Sequence, residues 1–310
     1  MPAGTRIGWV GCGRMGSAMS TRLIRAGLDV RVTNRTRDKA EALGALGATV
    51  VDSPRDLADC DVVFVMVSAN DDLREVTAGA DSLLSNPRRA PGVIVDCSTV
   101  SAEVSAEMRE ACAARGVEFL AAPVSGNPKV VASGRLTLCA SGSRAAFDVA
   151  EPLLNQLGAG VTYVGEGEVA RLVKICHNVM LGVVAQALTE VLTLAESGGV
   201  SRAALLEFFN SSVMGSAFTR YKSPALVHLD FTPTFTPVLL EKDFDIGLGA
   251  ARDAGVPMPV ASLVRELVAS AVGAGYESED FAVLLLEQAR RSGMVLTPED
   301  VEVDDGLGPA

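Results

Sequence analysis

The segment that most constrains the fold is Gly11-Cys12-Gly13-Arg14-Met15-Gly16, a G-x-G-x-x-G pattern placed directly after the apolar run Ile7–Val10. The pattern alone is a weak signal in a chain with 30 glycines. Its surroundings strengthen it: a strand-like run precedes it, helical spacing over residues 17–26 follows, and Gly27 closes that helix. Gly11 suits a tight turn, Gly13 lets a pyrophosphate approach the backbone, and Gly16 lets the helix pack closely on the strand. The helix N-terminus offers N–H donors and a positive dipole to phosphate groups. Gly11, Gly13, Arg14, Met15 and Gly16 are therefore candidate dinucleotide-binding residues.

The same alternation continues downstream. Residues 30–33, 50–51, 93–95, 117–120, 136–140 and 161–164 read as strands. Helical segments are expected at 40–46, 102–115 and 145–157. Residues 61–67 (Asp-Val-Val-Phe-Val-Met-Val) form a nearly continuous β-branched hydrophobic run, as expected of a strand buried on both faces of a parallel sheet. Repeated strand–helix units at this spacing predict a Rossmann-type, doubly wound α/β domain over residues 1–165.

After Gly165 the pattern changes. Residues 168–197 contain no breaker except Gly182 and predict one long helix of about 29 residues, some 43 Å at the standard rise. Ser201 caps a helix over residues 202–210, and further helices are expected near 242–254, 260–274 and 281–291. Residues 232–237 read as a Pro/Thr loop. An all-α second domain over 166–295, joined to the first by the long helix, is the expectation, with a flexible, frayed tail over 296–310.

Charge narrows the partners. The net charge is -11, so nonspecific attraction to nucleic acid or to an anionic membrane is not expected, and any anionic ligand needs a local positive site. The most apolar stretch, residues 179–195, is interrupted by Gln186 and Glu190 and reads as too short and too polar to span a bilayer. Six scattered cysteines without a C-x-x-C pair, with only two histidines, make a metal site improbable. Lone thiols and the absence of a leader-like segment point to a reducing, cytoplasmic setting.

The second strand ends at Asn34-Arg35-Thr36-Arg37, about 23 residues beyond Gly11. An acidic residue there would bind the ribose 2′-hydroxyl of NAD. Arg35 instead can fork onto a 2′-phosphate, with Asn34 and Thr36 donating hydrogen bonds, so NADP is preferred over NAD.

Taken together, the chain resembles the β-hydroxyacid dehydrogenase family from Ile7 to about Arg290, the family of 3-hydroxyisobutyrate dehydrogenases and glyoxylate–semialdehyde reductases. The resemblance rests on Gly11–Gly16, on Asp96-Cys97-Ser98-Thr99, on Ala122-Pro123-Val124-Ser125-Gly126-Asn127, on Gly165-Glu166-Gly167 leading to Lys174 and Asn178, and on Lys242-Asp243. It implies that Thr99 lies near the nicotinamide and that Ser125, Gly126 and Asn127 hold a substrate carboxylate through hydroxyl and backbone N–H groups. It further implies that Lys174 is the proton donor and acceptor, that Asn178 positions substrate, and that Lys242 touches the cofactor. Three positions depart from the family pattern: Asn127 replaces a second glycine, Ala121 an aspartate, and His177 the first of two asparagines.

Read without the family, hydride transfer to a carbonyl builds negative charge on oxygen that a nearby donor must neutralise. Lys174 and Asn178 are spaced i, i+4 and share one helix face. Leu172, Val173 and Ile175 surround the lysine with apolar groups, and desolvation favours its neutral form. Such a pair is more often a solvated face; its place just after Gly165-Glu166-Gly167 favours the catalytic reading. His177 reads as a structural hydrogen bonder, and Ser125 lacks an activating His/Asp pair. The expected activity is therefore NADP-dependent interconversion of a small β-hydroxy acid and its semialdehyde or oxo acid. Two competing readings are an imine reductase, a class that generally lacks the lysine, and a non-catalytic NADP sensor or scaffold. The apolar residues of the long helix (Val179, Leu181, Val183, Val184, Leu188, Val191, Leu192) predict a homodimer or homotetramer.

Overall fold

The computed structural model describes residues 4–308. Two compact units part between Lys174 and Ile175, nine residues beyond the boundary expected from the sequence. The first three residues of the expected sheet domain and the last two of the expected tail lie outside the described residues.

The sheet unit runs β1 (Ile7–Val10), α1 (Arg14–Arg25), β2 (Val30–Thr33), α2 (Arg37–Gly44), β3 (Thr49–Val50), β4 (Val62–Val65), α3 (Asn70–Ala78), β5 (Val93–Asp96) and α4 (Ala102–Ala113). It continues through β6 (Glu118–Ala121), β7 (Val124–Ser125), α5 (Pro128–Ala132), β8 (Thr137–Ser141), α6 (Arg144–Leu157) and β9 (Gly160–Gly165). The strand order is β3-β2-β1-β4-β5-β6-β8-β7, with β9 beside β8. The first six strands are parallel, whereas β8 runs antiparallel to β6 and β7. The 3-2-1-4-5-6 portion is the Rossmann order, whose connections reverse direction between β1 and β4 and leave a crevice at the carboxyl ends of those strands.

Alternating side chains fill both faces of this sheet. Trp9, Phe64 and Val95 pack with Met19 and Leu23 of α1 and with Phe147 and Leu153 of α6. Val10, Val63, Val65 and Ile94 pack on the opposite face with Leu73 of α3 and with Val104 and Met108 of α4. Trp9 and Phe64 stack with centroids 5.3 Å apart, a contact worth about 0.5–1.5 kcal/mol beyond its area. Helices on both faces explain why β4 is apolar without alternation.

Helix α7 (Val169–Ser197) realises the predicted 29-residue element. It leads into α8 (Arg202–Ser211), α9 (Ala217–His228), α10 (Pro237–Asp253), α11 (Pro259–Gly273) and α12 (Leu284–Arg291). The helical unit has two cores, one around Ile175, Val179, Phe244 and Phe281 and another around Leu188, Leu192, Leu206 and Leu285.

Several expectations change. Helix α1 starts at Arg14, three residues early, because Gly13 takes the extended N-cap conformation (φ -71, ψ -175) and the turn feeds straight into the helix. Helix α10 begins inside the expected loop, where Thr236 accepts from Leu239 N and Pro237 supplies a first-turn residue that needs no N–H partner. Helices α3, α5 and α9 were not expected; α3 is polar, α5 is short, and α9 carries Pro224 in its interior. The stretch read as too short to span a bilayer belongs to a helix that passes that test by length and hydropathy. Half of its most apolar window is buried inside the protein, as befits a core helix. Five residues named as surplus apolar surface on α7 (Val179, Leu181, Val183, Leu188, Leu192) pack in the helical unit's own cores. The exposed apolar residues of that stretch are Met180, Val191 and Leu194.

The expected frayed tail is anchored as far as Val303. Leu296 is buried, and Met294 and Val303 pack against the same core. Arg202 N and Ala203 N, in the first turn of α8, donate to the Glu299 carboxylate at 2.7 and 3.1 Å. The fully buried Arg202 guanidinium donates to Thr297 O at 2.5 Å and to Leu226 O and Val227 O. Glu299 thus supplies the acceptor that a helix N-terminus needs, from a residue 97 positions away.

Candidate functional site

The carboxyl ends of β1, β2 and β4 open onto a cleft of about 470 Å³, within the usual range for small-ligand sites. Gly11, Gly13, Asn34, Arg35 and Thr36 line it, with Met66, Val67 and Ser68 from the segment after β4. The glycine turn is sterically specified. A side chain at Gly11 (φ +95) would put Cβ 2.2 Å from Met66 O, and one at Gly16 would put Cβ 1.9 Å from Gly11 O. The Trp9 indole N–H donates to Gly11 O at 3.0 Å and braces the turn from below.

Gly13 is different: it is exposed, and a Cβ there would meet nothing within 4 Å. That open backbone caps α1 without a side-chain hydrogen bond and with no acidic residue in the first turn. The first N–H groups of α1 therefore face a space that a pyrophosphate can enter, and the residues present fit a dinucleotide. Arg14 is exposed and Met15 half-buried at the start of the helix.

Asn34 lines the cleft and is also held within the protein. Its Oδ1 accepts from Cys12 N at 2.8 Å, and its Nδ2 donates to Thr36 O at 2.9 Å. It ties the glycine turn to the β2–α2 loop, and one N–H of its amide stays beyond the Thr36 bond. Thr36 is the N-cap of α2 and makes no side-chain cap bond. Arg35 is exposed, and its Nη1 donates to Asp72 Oδ1 at 3.1 Å. Lys39, Asp52, Asp72, Glu75 and Asp81 also line the cleft, so its few cations sit among carboxylates. A hollow of similar volume beside α1 offers less, since its Arg22 guanidinium donates to Gln156 O and Val131 O.

The other sheet-unit residues stand outside the lining of that cleft. Thr99 is half-buried in the loop after β5. Within that loop Ser98 N donates to Asp96 Oδ1 at 3.0 Å, and Val67 N donates to Ser98 Oγ at 2.9 Å. Ser125 closes β7 and Gly126 is exposed in the turn beyond it. The Asn127 carboxamide accepts from Lys129 N and Val130 N at 3.0 and 3.1 Å. The residue that departs from the family's second glycine is thus the N-cap of α5, its carboxamide oxygen spent on the helix start.

Lys174 is half-buried near the start of α7. The helix start is lashed to the sheet. Ala170 N donates to Ser141 Oγ at 3.0 Å, Arg109 Nε to Glu168 Oε1 at 2.6 Å, and Arg171 to Ser98 O, Ser105 Oγ and the Asp96 carboxylate. Burial pushes the Cys139 thiol up, and Lys174 is near enough to pull it partly back. Burial also pushes Cys12 up to about 11 and, with the Asp96 charge, raises Cys97, which removes both as nucleophiles.

In the helical unit, Asn178 is buried and its Nδ2 donates to Asp243 Oδ2 at 2.6 Å. The side chain expected to meet substrate is engaged inside its own unit. His177 is exposed, with Nδ1 2.9 Å from Asn178 Oδ1. Lys242 is half-exposed on α10, its Nζ 3.9 Å from Asp243 Oδ1. Asp243 joins both expected residues and was noticed in the sequence only as the neighbour of Lys242. Arg171 was missed altogether, although a lone arginine among Val169, Ala170, Leu172 and Val173 is a signal that a buried partner must exist.

Comparison with known proteins divides the chain at residue 165. Residues 6–165 match the family model of the NAD binding domain of 6-phosphogluconate dehydrogenase. Residues 165–286 match that of the NAD-binding domain of NADP-dependent 3-hydroxyisobutyrate dehydrogenase. Glyoxylate/succinic semialdehyde reductase 1 of Arabidopsis thaliana is 31% identical over 280 residues, covering 90% of this chain and 96% of its own. The crystal structure of 3-hydroxyisobutyrate dehydrogenase from Salmonella typhimurium has a TM-score of 0.80 at 27% identity, covering 91% of this chain and 99% of that one. The structure of Psf3 in complex with NADP+ and 2-OPP has a TM-score of 0.79 at 26% identity, with coverage of 91% and 99%.

Proposed function

Since the chain belongs to the β-hydroxyacid dehydrogenase family, we propose that it is an NADP-dependent oxidoreductase that interconverts a small β-hydroxy acid and its semialdehyde or oxo acid. The observation that carries the cofactor assignment is the exposed, uncapped start of α1 at Gly13 in the same cleft as Arg35. The helix N-terminus receives the pyrophosphate, and Arg35 exchanges Asp72 for the 2′-phosphate. Psf3, a structural neighbour, holds NADP+, which supports this choice over NAD.

NADPH, when bound, would supply the hydride for the carbonyl carbon. Lys174 gives a proton from Nζ to the carbonyl oxygen and, in the reverse direction, takes the hydroxyl proton. Ser125 and the N–H groups of Gly126 and Asn127 hold the carboxylate, which fixes the carbonyl's orientation. Thr99 would hold the nicotinamide end, and Lys242 is the further residue proposed to touch the cofactor. Asn178, its amide held by Asp243, is the residue proposed to position substrate. The exposed Met180, Val191 and Leu194 on α7 support assembly as a homodimer or homotetramer. Four of the six free thiols are buried, which suits the cytoplasm. The test is NADPH absorbance on addition of C3–C5 β-semialdehyde and β-oxo acids, the partners of β-hydroxy acids, beside glyoxylate and succinic semialdehyde, whose reduced forms are α- and γ-hydroxy acids. Oxidation with one or more of them is expected. Tight NADPH binding without turnover on any would favour a cofactor sensor instead.

A further inference from the structure

Arg171 and Asp96 form an ion pair that solvent barely reaches: Arg171 is 4% exposed and Asp96 0%. The guanidinium addresses three groups at once. Its Nη1 donates to Ser98 O at 2.6 Å, its Nε to Ser105 Oγ at 3.1 Å, and its Nη2 to the Asp96 carboxylate. Asp96 Oδ1 is meanwhile held by Ser98 N, and Ser98 Oγ by Val67 N. The planar fork therefore grips the loop after β5, one residue short of Thr99, and the first turn of α4.

Burying two charges brings little net stability, since desolvation offsets their attraction, and an apolar pair of similar size does as well. What a fork with fixed donor directions supplies is geometry. Arg171 lies three residues before Lys174, on the same stripe of α7. A helix turns about 100° and rises 1.5 Å per residue, so fixing Arg171 against Ser98 and Ser105 fixes both the rotation and the height of Lys174 relative to Thr99. Ser141, through Ala170 N, and Arg109, through Glu168, hold the helix start to β8 and α4, and Arg171 adds the tie to the Asp96–Thr99 loop.

We propose that Arg171 is the positioning residue for Lys174, clamping α7 to the Asp96–Thr99 loop so that the proton donor meets the carbonyl oxygen beside the nicotinamide. The proposal rests on the reading of Lys174 as proton donor. A general acid must come within about 2.6–3.2 Å of its target, and a displacement of about 1 Å can cost 100-fold.

The test compares Arg171→Gln and the charge-neutral double variant Asp96→Asn/Arg171→Gln with wild type and Lys174→Ala, using NADPH with a C4 β-semialdehyde acid and with glyoxylate and succinic semialdehyde. The double variant leaves no unpaired buried charge and protects folding. Both folded variants are expected to lose about 10- to 100-fold in kcat and to show a displaced basic limb of the kcat–pH profile. KM for the acid and Kd for NADPH, read from the fluorescence of the single tryptophan, Trp9, should stay within about threefold. A structural role alone would lower the melting temperature without moving the pH profile. Wild-type kcat and pH profile in either variant, or an equal loss in NADPH affinity, overturns the proposal while an inactive Lys174→Ala keeps the lysine reading intact. An active Lys174→Ala overturns both.

Discussion

Replacing Glu299 with Ala probes the part of the structure furthest from expectation. The carboxylate accepts from Arg202 N at 2.7 Å and Ala203 N at 3.1 Å, and its side chain is 18% exposed. Hydrogen bonds to charged groups contribute about 1.5–3 kcal/mol each, while loss of a helix cap costs about 0.5–2 kcal/mol. Ser201 still caps Ala204 N, Glu196 still neutralises the buried Arg202 guanidinium, and water can reach part of the vacated site. The loss is therefore placed at about 2–3 kcal/mol, above a single cap and below two full charged bonds. Urea unfolding followed by circular dichroism measures it, with Glu302→Ala, at an exposed position on the same segment, as the control. A loss for Glu299→Ala below about 0.5 kcal/mol, the size of an ordinary surface substitution, would refute the claim that this segment is anchored through α8.

Arg35→Ala should weaken NADPH binding by about 1.5–3 kcal/mol, reduced toward the lower figure by the Asp72 contact the arginine gives up, and leave NADH nearly unchanged; equal losses by fluorescence titration would contradict the 2′-phosphate assignment. Light scattering at micromolar concentration should find at least a dimer, and a monomer would remove the role given to Met180, Val191 and Leu194. The buried thiols set an alkaline limit. Burial raises Cys12 and Cys60 from 9.0 to about 11, so their neutral form is favoured in the fold, and stability is complete below pH 9 and falls as pH rises toward 11. Melting temperatures from pH 8 to 11 should decline accordingly, with a Cys12→Ala/Cys60→Ala variant declining less; an identical decline would exclude these thiols as the cause.

What could be read from the sequence was local or periodic. The β4 run, the glycine turn and the length of α7 each leave a signature within a few residues, because burial on both sheet faces, a backbone collision at Gly16 and an unbroken 3.6-residue period are all short-range. The missed features are pairings across long sequence separations. Glu299 and Arg202 are 97 residues apart, and a polar acidic tail gives no hint that one carboxylate finishes a distant helix. That Asn34 also ties the glycine turn could not be read, because nothing local shows that Cys12 N needs its oxygen. Asn127 appeared as a departure in the substrate loop, and its reason, capping α5, becomes visible only once that five-residue helix exists. Asn178 and Asp243, 65 residues apart, meet only in the folded helical unit.

In the proposed mechanism Lys174 moves the proton while the glycine turn and Arg35 hold the cofactor. Lys174→Ala separates these roles. Steady-state turnover of NADPH with the best acid substrate should fall by about 10²–10⁴-fold, the usual contribution of a positioned general acid, while NADPH affinity from Trp9 fluorescence stays within about twofold. Lys174→Arg should not restore turnover, because a guanidinium stays charged and is a poor acid near neutrality. A Lys174→Ala protein retaining more than about a tenth of wild-type turnover, well short of that range, would contradict the account.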